Sequence, residues 1–162
     1  MIAFRLFSLL FAYPTPEVVK SIEELLQDES LAKLESAKLL DTVNLADLQT
    51  EYVRLFVNSY PTLLCPPYES FYREGTVYGN TVNQVTELFK QSGLAYVYEG
   101  EPPDHISAEL DFLAETGDQS FTNRMCEWVP EFTARVKENS AEYKVFAREL
   151  EDLLQARCRV AK

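Results

Sequence analysis

Apolar residues recur along this chain at intervals of three and four, the spacing that lines one face of an α-helix. Phe4, Phe7, Leu10 and Phe11 begin the series, and Pro14 closes it. Thr15-Pro16 then supplies a capping hydroxyl and a proline suited to the first helical position. In the helix that follows, Val18, Val19, Ile22, Leu25 and Leu26 oppose Glu17, Lys20, Glu23 and Glu24. Ser30 is placed to cap a third helix through Leu40, and Asn44 a fourth that aligns Leu48, Tyr52, Leu55 and Phe56.

From Asn58 to Gly79 the period stops. Pro61, Pro66 and Pro67 forbid a continuous helix there, so the pattern predicts a long loop with at most one short helical turn. Its tyrosines at 60, 68, 72 and 78 have an apolar body and a polar tip, which suits a peptide-binding wall as well as a plug for the core. The helical period returns with Val85, Leu88 and Phe89, capped by Thr81 and closed by Gly93 in a left-handed turn. Ala95 to Gly100 reads as extended. Ile106, Leu110 and Leu113 then face inward, with Glu109, Asp111 and Glu115 outward, until Gly117-Asp118 breaks the helix. A helix through Cys126, a junction at Trp128-Val129-Pro130, a helix with Phe132 and Val136, and a last helix capped by Ser140 complete the series. Tyr143, Phe146, Ala147, Leu150, Leu153 and Leu154 form the stripe of that last helix. No strand pairing or repeat is visible, so the expected fold class is all-α, a helical bundle.

Composition narrows the function. With 162 residues, 46% of them hydrophobic, the chain is sized for one domain over 1–162. A net charge of −11 argues against nucleic acid, which needs clustered Lys and Arg, and makes a cationic partner the natural complement. Cys65, Cys126 and Cys158 are odd in number and widely spaced, which suggests neither a disulfide framework nor a zinc site and fits a reducing cytosol. His105 is the only histidine, so a multi-histidine metal centre is not expected. Neither a Gly-x-Ser-x-Gly elbow nor a glycine-rich phosphate loop is present, and no cofactor is expected. The apolar stretch Ile2 to Tyr13 has a single charged residue, Arg5, and no small-residue cleavage site before Pro14, so it reads as a buried first helix, too short to span a bilayer.

The chemistry concentrates in one segment, Glu101-Pro102-Pro103-Asp104-His105-Ile106-Ser107-Ala108-Glu109-Leu110-Asp111-Phe112-Leu113. Two prolines stiffen the approach to a helix N-terminus, where acidic groups are favoured. The same residues also read as an ordinary capped helix start. Two earlier segments accompany it, Glu51-Tyr52-Val53-Arg54-Leu55-Phe56 and Pro66-Pro67-Tyr68-Glu69-Ser70. Together the three blocks resemble the TorD-like chaperones, the redox enzyme maturation proteins that serve molybdoenzymes. The resemblance implies an all-helical fold, no catalysis, a cytoplasmic location, and binding of a molybdoenzyme catalytic subunit precursor through its twin-arginine leader or its apo form. It also includes a tendency to exchange helices in a homodimer, for which 58–79 and 94–103 are the candidate hinges.

On this reading Glu101, Asp104 and Glu109 accept hydrogen bonds from guanidinium groups, and the leader's apolar run enters a groove. Pro102 holds the turn rigid, and Tyr68, Ser70 and Tyr72 of the aromatic loop lie beside it. His105 is able to donate to the leader backbone or to pair with Asp104 or another carboxylate. An exposed turn of this kind is expected to govern binding and to leave stability alone. Two other classes of function compete: a module that binds a folded redox-enzyme subunit without leader recognition, and a helical enzyme using Asp104, His105 and Ser107 as acid–base groups.

Overall fold

The computed structural model describes residues 1–58, 60–94 and 100–159, and every regular element among them is helical. In chain order these are α1 (Ile2–Leu10), α2 (Pro16–Leu25), α3 (Glu29–Ala32), α4 (Glu35–Thr42), α5 (Leu45–Phe56), α6 (Glu69–Glu74), α7 (Asn80–Gln91), α8 (Ile106–Thr116), α9 (Gln119–Asn139) and α10 (Ala141–Gln155). The all-α class expected from the stripes is borne out. Extended backbone pairs only at one antiparallel bridge among the described residues, between Tyr68 and His105. No helix among them is long and apolar enough to cross a membrane. The stretch 95–99, read above as extended and as part of a hinge, lies outside the described residues.

Several helix starts follow from local chemistry. Thr15 Oγ1 accepts the Val18 N–H at 3.1 Å, Asn44 Oδ1 accepts that of Ala46 at 2.8 Å, and Ser140 Oγ accepts that of Tyr143 at 3.0 Å. Others are capped in ways the sequence did not announce. Asp28, not Ser30, caps α3, accepting the Ser30 N–H at 2.9 Å. The helix expected through Leu40 is split in two, and the Glu149 carboxylate of α10 accepts the Glu35 and Ser36 N–H groups, each at 2.9 Å, at the start of α4. Thr81 lies inside α7; the Glu74 carboxylate accepts the Asn80 and Thr81 N–H groups at 2.9 and 2.8 Å in its place. Gly93 and Gly117 do hold the left-handed conformation that ends α7 and α8.

Pro130 lies within α9, where a junction was expected. An interior proline costs about 3 kcal/mol. Here Met125, Trp128, Val129, Phe132 and Val136 are all buried on α9, and an unbroken helix keeps them together. Cys126 and Cys158 also depart from expectation: they form a disulfide with Cα atoms 6.1 Å apart, because the segment after α10 returns to α9. Cys65 is a buried free thiol.

The core is built mainly from α9 against α10 and α1 against α8, with α6 on α9 and α4 on α10. Phe11, Tyr52, Phe56, Phe132 and Tyr143 form one aromatic cluster. Phe89, Phe112 and Phe121 form a second, in which the Phe89 and Phe112 rings stack at 4.5 Å.

Candidate functional site

The loop before α6 and the turn before α8 are joined strand-like. The Glu69 N–H donates to the Asp104 carbonyl at 3.0 Å and the Ile106 N–H to the Pro67 carbonyl at 2.8 Å. The aromatic loop therefore does lie beside the Asp-His turn. Within the turn the His105 N–H donates to the Pro102 carbonyl at 3.1 Å, and Pro102 and Pro103 are both buried.

The turn itself is not exposed. Asp104 shows no accessible surface and His105 only 4%. The Asp104 carboxylate accepts the Ser70 N–H at 2.8 Å, capping α6 from another part of the chain, since the preceding Tyr68 offers no side-chain cap. Burial raises its pKa above the ordinary value. The Ser70 hydroxyl is buried without a hydrogen-bond partner among the described residues. His105 caps its own helix, its Nδ1 accepting the Ser107 N–H at 3.1 Å. A ring nitrogen that accepts carries no proton, so the ring is neutral with its proton on Nε2, and burial lowers its pKa to about 4.

Glu109, expected to face outward, is likewise fully buried. It lies one turn into α8 on the side facing α6 and α9, where Trp128 Nε1 donates to its Oε1 at 3.2 Å. Burial, and after it the negative charge of Glu69, push its pKa well above the carboxylate range, and its Oε2 is buried without a hydrogen-bond partner among the described residues. Glu69, also fully buried, is neutralised by Arg73 and by Arg124, whose Nη2 lies 2.7 Å away. Asp104, Ser70 and Glu109 thus belong to a polar network inside the protein. Tyr72 stacks on Trp128 at 5.5 Å, with its hydroxyl buried and unpartnered among the described residues. None of these four lines the cleft formed by α1, α5 and α8.

Glu101 and His105 are placed differently. Both line a cleft of about 540 Å³ between α1, α5 and the start of α8. Tyr68 supports both from behind: its hydroxyl donates to Glu101 at 2.6 Å and its ring meets the His105 ring edge-on at 5.3 Å. Of the other lining residues, Ser107 was named from sequence only for the acid–base alternative, Tyr52, Val53, Ala108 and Asp111 only as parts of motif segments, and Ser8, Ala12, Tyr13 and Val57 were not singled out. Ser8, Ala12 and Tyr13 come from α1 and the residues after it, Tyr52, Val53 and Val57 from α5 and its end, and Ser107, Ala108 and Asp111 from α8. Tyr13, Val53 and Val57 remain 42%, 39% and 56% exposed, an open apolar surface beside acidic groups. One signal for them was present, because Val53 and Val57 are apolar yet lie off the Leu48, Tyr52, Leu55 core stripe of α5.

At the cleft α1 and α8 are tied side by side. Ser8 Oγ donates to the Ser107 carbonyl at 2.9 Å and Ser107 Oγ to the Ser8 carbonyl at 2.7 Å. Small side chains at both positions let the helices approach closely. Among the described residues no three His, Cys, Asp or Glu side chains are grouped as for a metal ion.

Comparison with known proteins gives a consistent picture. The model of the nitrate reductase delta subunit family matches residues 14–149, which include all three motif segments. The chain is also similar to a crystal structure from Archaeoglobus fulgidus, described as a candidate redox enzyme maturation protein, with 40% identity and a TM-score of 0.87 over 95% of this chain and 93% of that one. No curated protein matches it significantly. The resemblance read from the motifs is borne out by both matches.

Proposed function

We propose, since this chain belongs to the nitrate reductase delta subunit family, that it is a cytoplasmic chaperone of redox enzyme maturation. Its client is the catalytic subunit precursor of a molybdoenzyme. It binds that subunit's twin-arginine leader, or its apo form, and assists maturation and cofactor insertion before export or assembly, with no catalysis of its own.

The observation that carries this reading is the cleft between α1, α5 and α8, in which exposed Tyr13, Val53 and Val57 adjoin Glu101 and Asp111. A leader is basic at one end and apolar along the rest, and such a cleft offers both complements. Exposed ion pairs contribute about 0–1 kcal/mol each, so the apolar contact supplies most of the affinity while the charges set orientation and on-rate. His105, neutral at physiological pH with its proton on Nε2, is a donor for a peptide carbonyl rather than an acid–base catalyst.

Affinity purification of the tagged protein from its own cells tests this directly. The expected co-purifying species is an unprocessed molybdoenzyme catalytic subunit, lost when its leader is deleted. Equal recovery of the leaderless subunit would replace leader recognition with docking on a folded subunit.

A further inference from the structure

Gln119, Asn123 and Cys126 follow one another at intervals of four and three along α9, so they lie on one stripe of that helix. Each holds the segment after α10. Gln119 Nε2 donates to the Arg157 carbonyl at 2.9 Å, Asn123 Oδ1 accepts the Arg159 N–H at 3.1 Å, and Cys126 is bonded to Cys158. Arg157 adds a tie to α1, its guanidinium lying 5.6 Å from the centre of the Phe4 ring and its Nη2 3.3 Å from Met1 Sδ. Backward along the chain, the Leu154 carbonyl accepts the Arg157 and Cys158 N–H groups, each at 2.8 Å, as the fraying end of α10. No residue of 156–159 is buried. Surface contacts of this kind are individually weak, and together they do not outweigh the conformational freedom that the segment regains on release. The disulfide is what keeps it on α9.

We propose that the Cys126–Cys158 bond is a reversible redox latch: a dithiol reductant opens it in the folded protein, and residues 157–159 then leave α9 and α1. The proposal draws on the cytoplasmic location inferred above, where dithiols keep thiols reduced, and is independent of leader binding. Both cysteines are half-buried, so a reductant reaches them without the helices parting. One thiolate of the dithiol attacks Cys126 Sγ, the S–S bond breaks, and Cys158 leaves as a thiolate, a charge favoured by Arg157 and Arg159 on either side of it. The second thiolate of the dithiol attacks the mixed disulfide and releases Cys126. Two electrons and two protons have then passed to the protein, and the reductant departs as its own disulfide. Opening frees the side chains of Gln119 and Asn123, and Asn123 lines the depression between α7, α8 and α9. The latch therefore sets which polar groups that surface presents.

The test adds dithiothreitol to the oxidised full-length protein in native buffer and counts the freed thiols over time by alkylation and mass spectrometry. The rate should double when the reductant is doubled and stay the same in urea below the unfolding transition. A rate that climbs steeply with such urea means that the bond opens only through unfolding, and overturns the latch. In the reduced protein the helical circular dichroism should be unchanged, while the backbone order parameter of Arg159 falls below about 0.6. A segment as rigid after reduction as before, or loss of the helical signal, also overturns it. Cys126→Ser combined with Cys158→Ser should show the same loose segment without reductant and no response to it; a segment held rigid in that variant counts against the latch. Oxidised glutathione should restore the bond and the order of Arg159 in the reduced parent, and failure to re-form it overturns reversibility. None of these outcomes bears on leader binding.

Discussion

The carboxylate of Asp104 reaches the backbone N–H of Ser70 at 2.8 Å inside the protein, so the residue that introduces α8 also caps α6. This reverses the expectation that the Asp-His turn is a surface feature with no part in stability. Asp104→Ala removes the acceptor from a buried donor and should cost about 1–3 kcal/mol. Asp104→Asn keeps one oxygen for Ser70 and should cost less. Urea unfolding measures both, and a parent-like midpoint for Asp104→Ala would show that the cap is absent.

Glu109 predicts a dependence of stability on pH. Its folded pKa is raised above its ordinary value of 4.5, so the native state keeps a proton that the unfolded chain releases above that pH. The contribution is full below 4.5 and declines as pH rises toward the folded value. His105 acts in the opposite sense. Its pKa falls from 6.5 to about 4, so its contribution is full above 6.5 and is lost as pH drops through that interval. Glu109→Gln keeps an oxygen for the Trp128 Nε1 donor while removing the titration. The melting temperature of Glu109→Gln relative to the parent should rise as pH increases above 4.5. A difference in melting temperature that stays constant as pH rises above 4.5 would mean that Glu109 is not held protonated.

The Cys126–Cys158 bond joins residues 32 apart and secures the segment after α10, where Gln119 Nε2 donates to the Arg157 carbonyl at 2.9 Å and the Arg159 N–H to Asn123 Oδ1 at 3.1 Å. Closing such a loop stabilises by about 2–4 kcal/mol. Dithiothreitol should lower the melting temperature of the parent. Cys126→Ser should start lower and not respond to the reductant.

Cleft and core separate cleanly by substitution. Val57 is 56% exposed, so Val57→Ser should change stability by less than about 0.5 kcal/mol while weakening leader binding up to about tenfold, by removing apolar surface covered only in the complex. Leu110 is fully buried, and Leu110→Ala should cost about 2–5 kcal/mol of stability. Calorimetric titration and thermal melting of the two variants report both quantities.

Much of the helical fold was legible because its determinants are local. Thr15, Asn44 and Ser140 cap within three residues, and the α5 and α10 stripes need only helical spacing. The inward turn of Asp104 and Glu109 was not legible, because it depends on Ser70, Glu69 and Trp128, which other helices supply. The caps by Glu74 and Glu149 escaped notice for the same reason, being carboxylates that reach another helix. Within the candidate site, Glu101 and His105 were found from their motif, whereas Ser8 and Tyr13 enter the cleft only through the antiparallel packing of α1 on α8.

The most direct test of the central claim is to titrate isotope-labelled protein with the twin-arginine leader of a molybdoenzyme catalytic subunit from the same genome and follow the resonances of individual residues. The account predicts saturable shifts at Tyr13, Val53, Val57, His105 and Asp111, with Gln91 and Asn123, which line a separate depression on the α7, α8 and α9 side, unmoved. Saturable shifts confined to that depression, or none in the cleft, would contradict it.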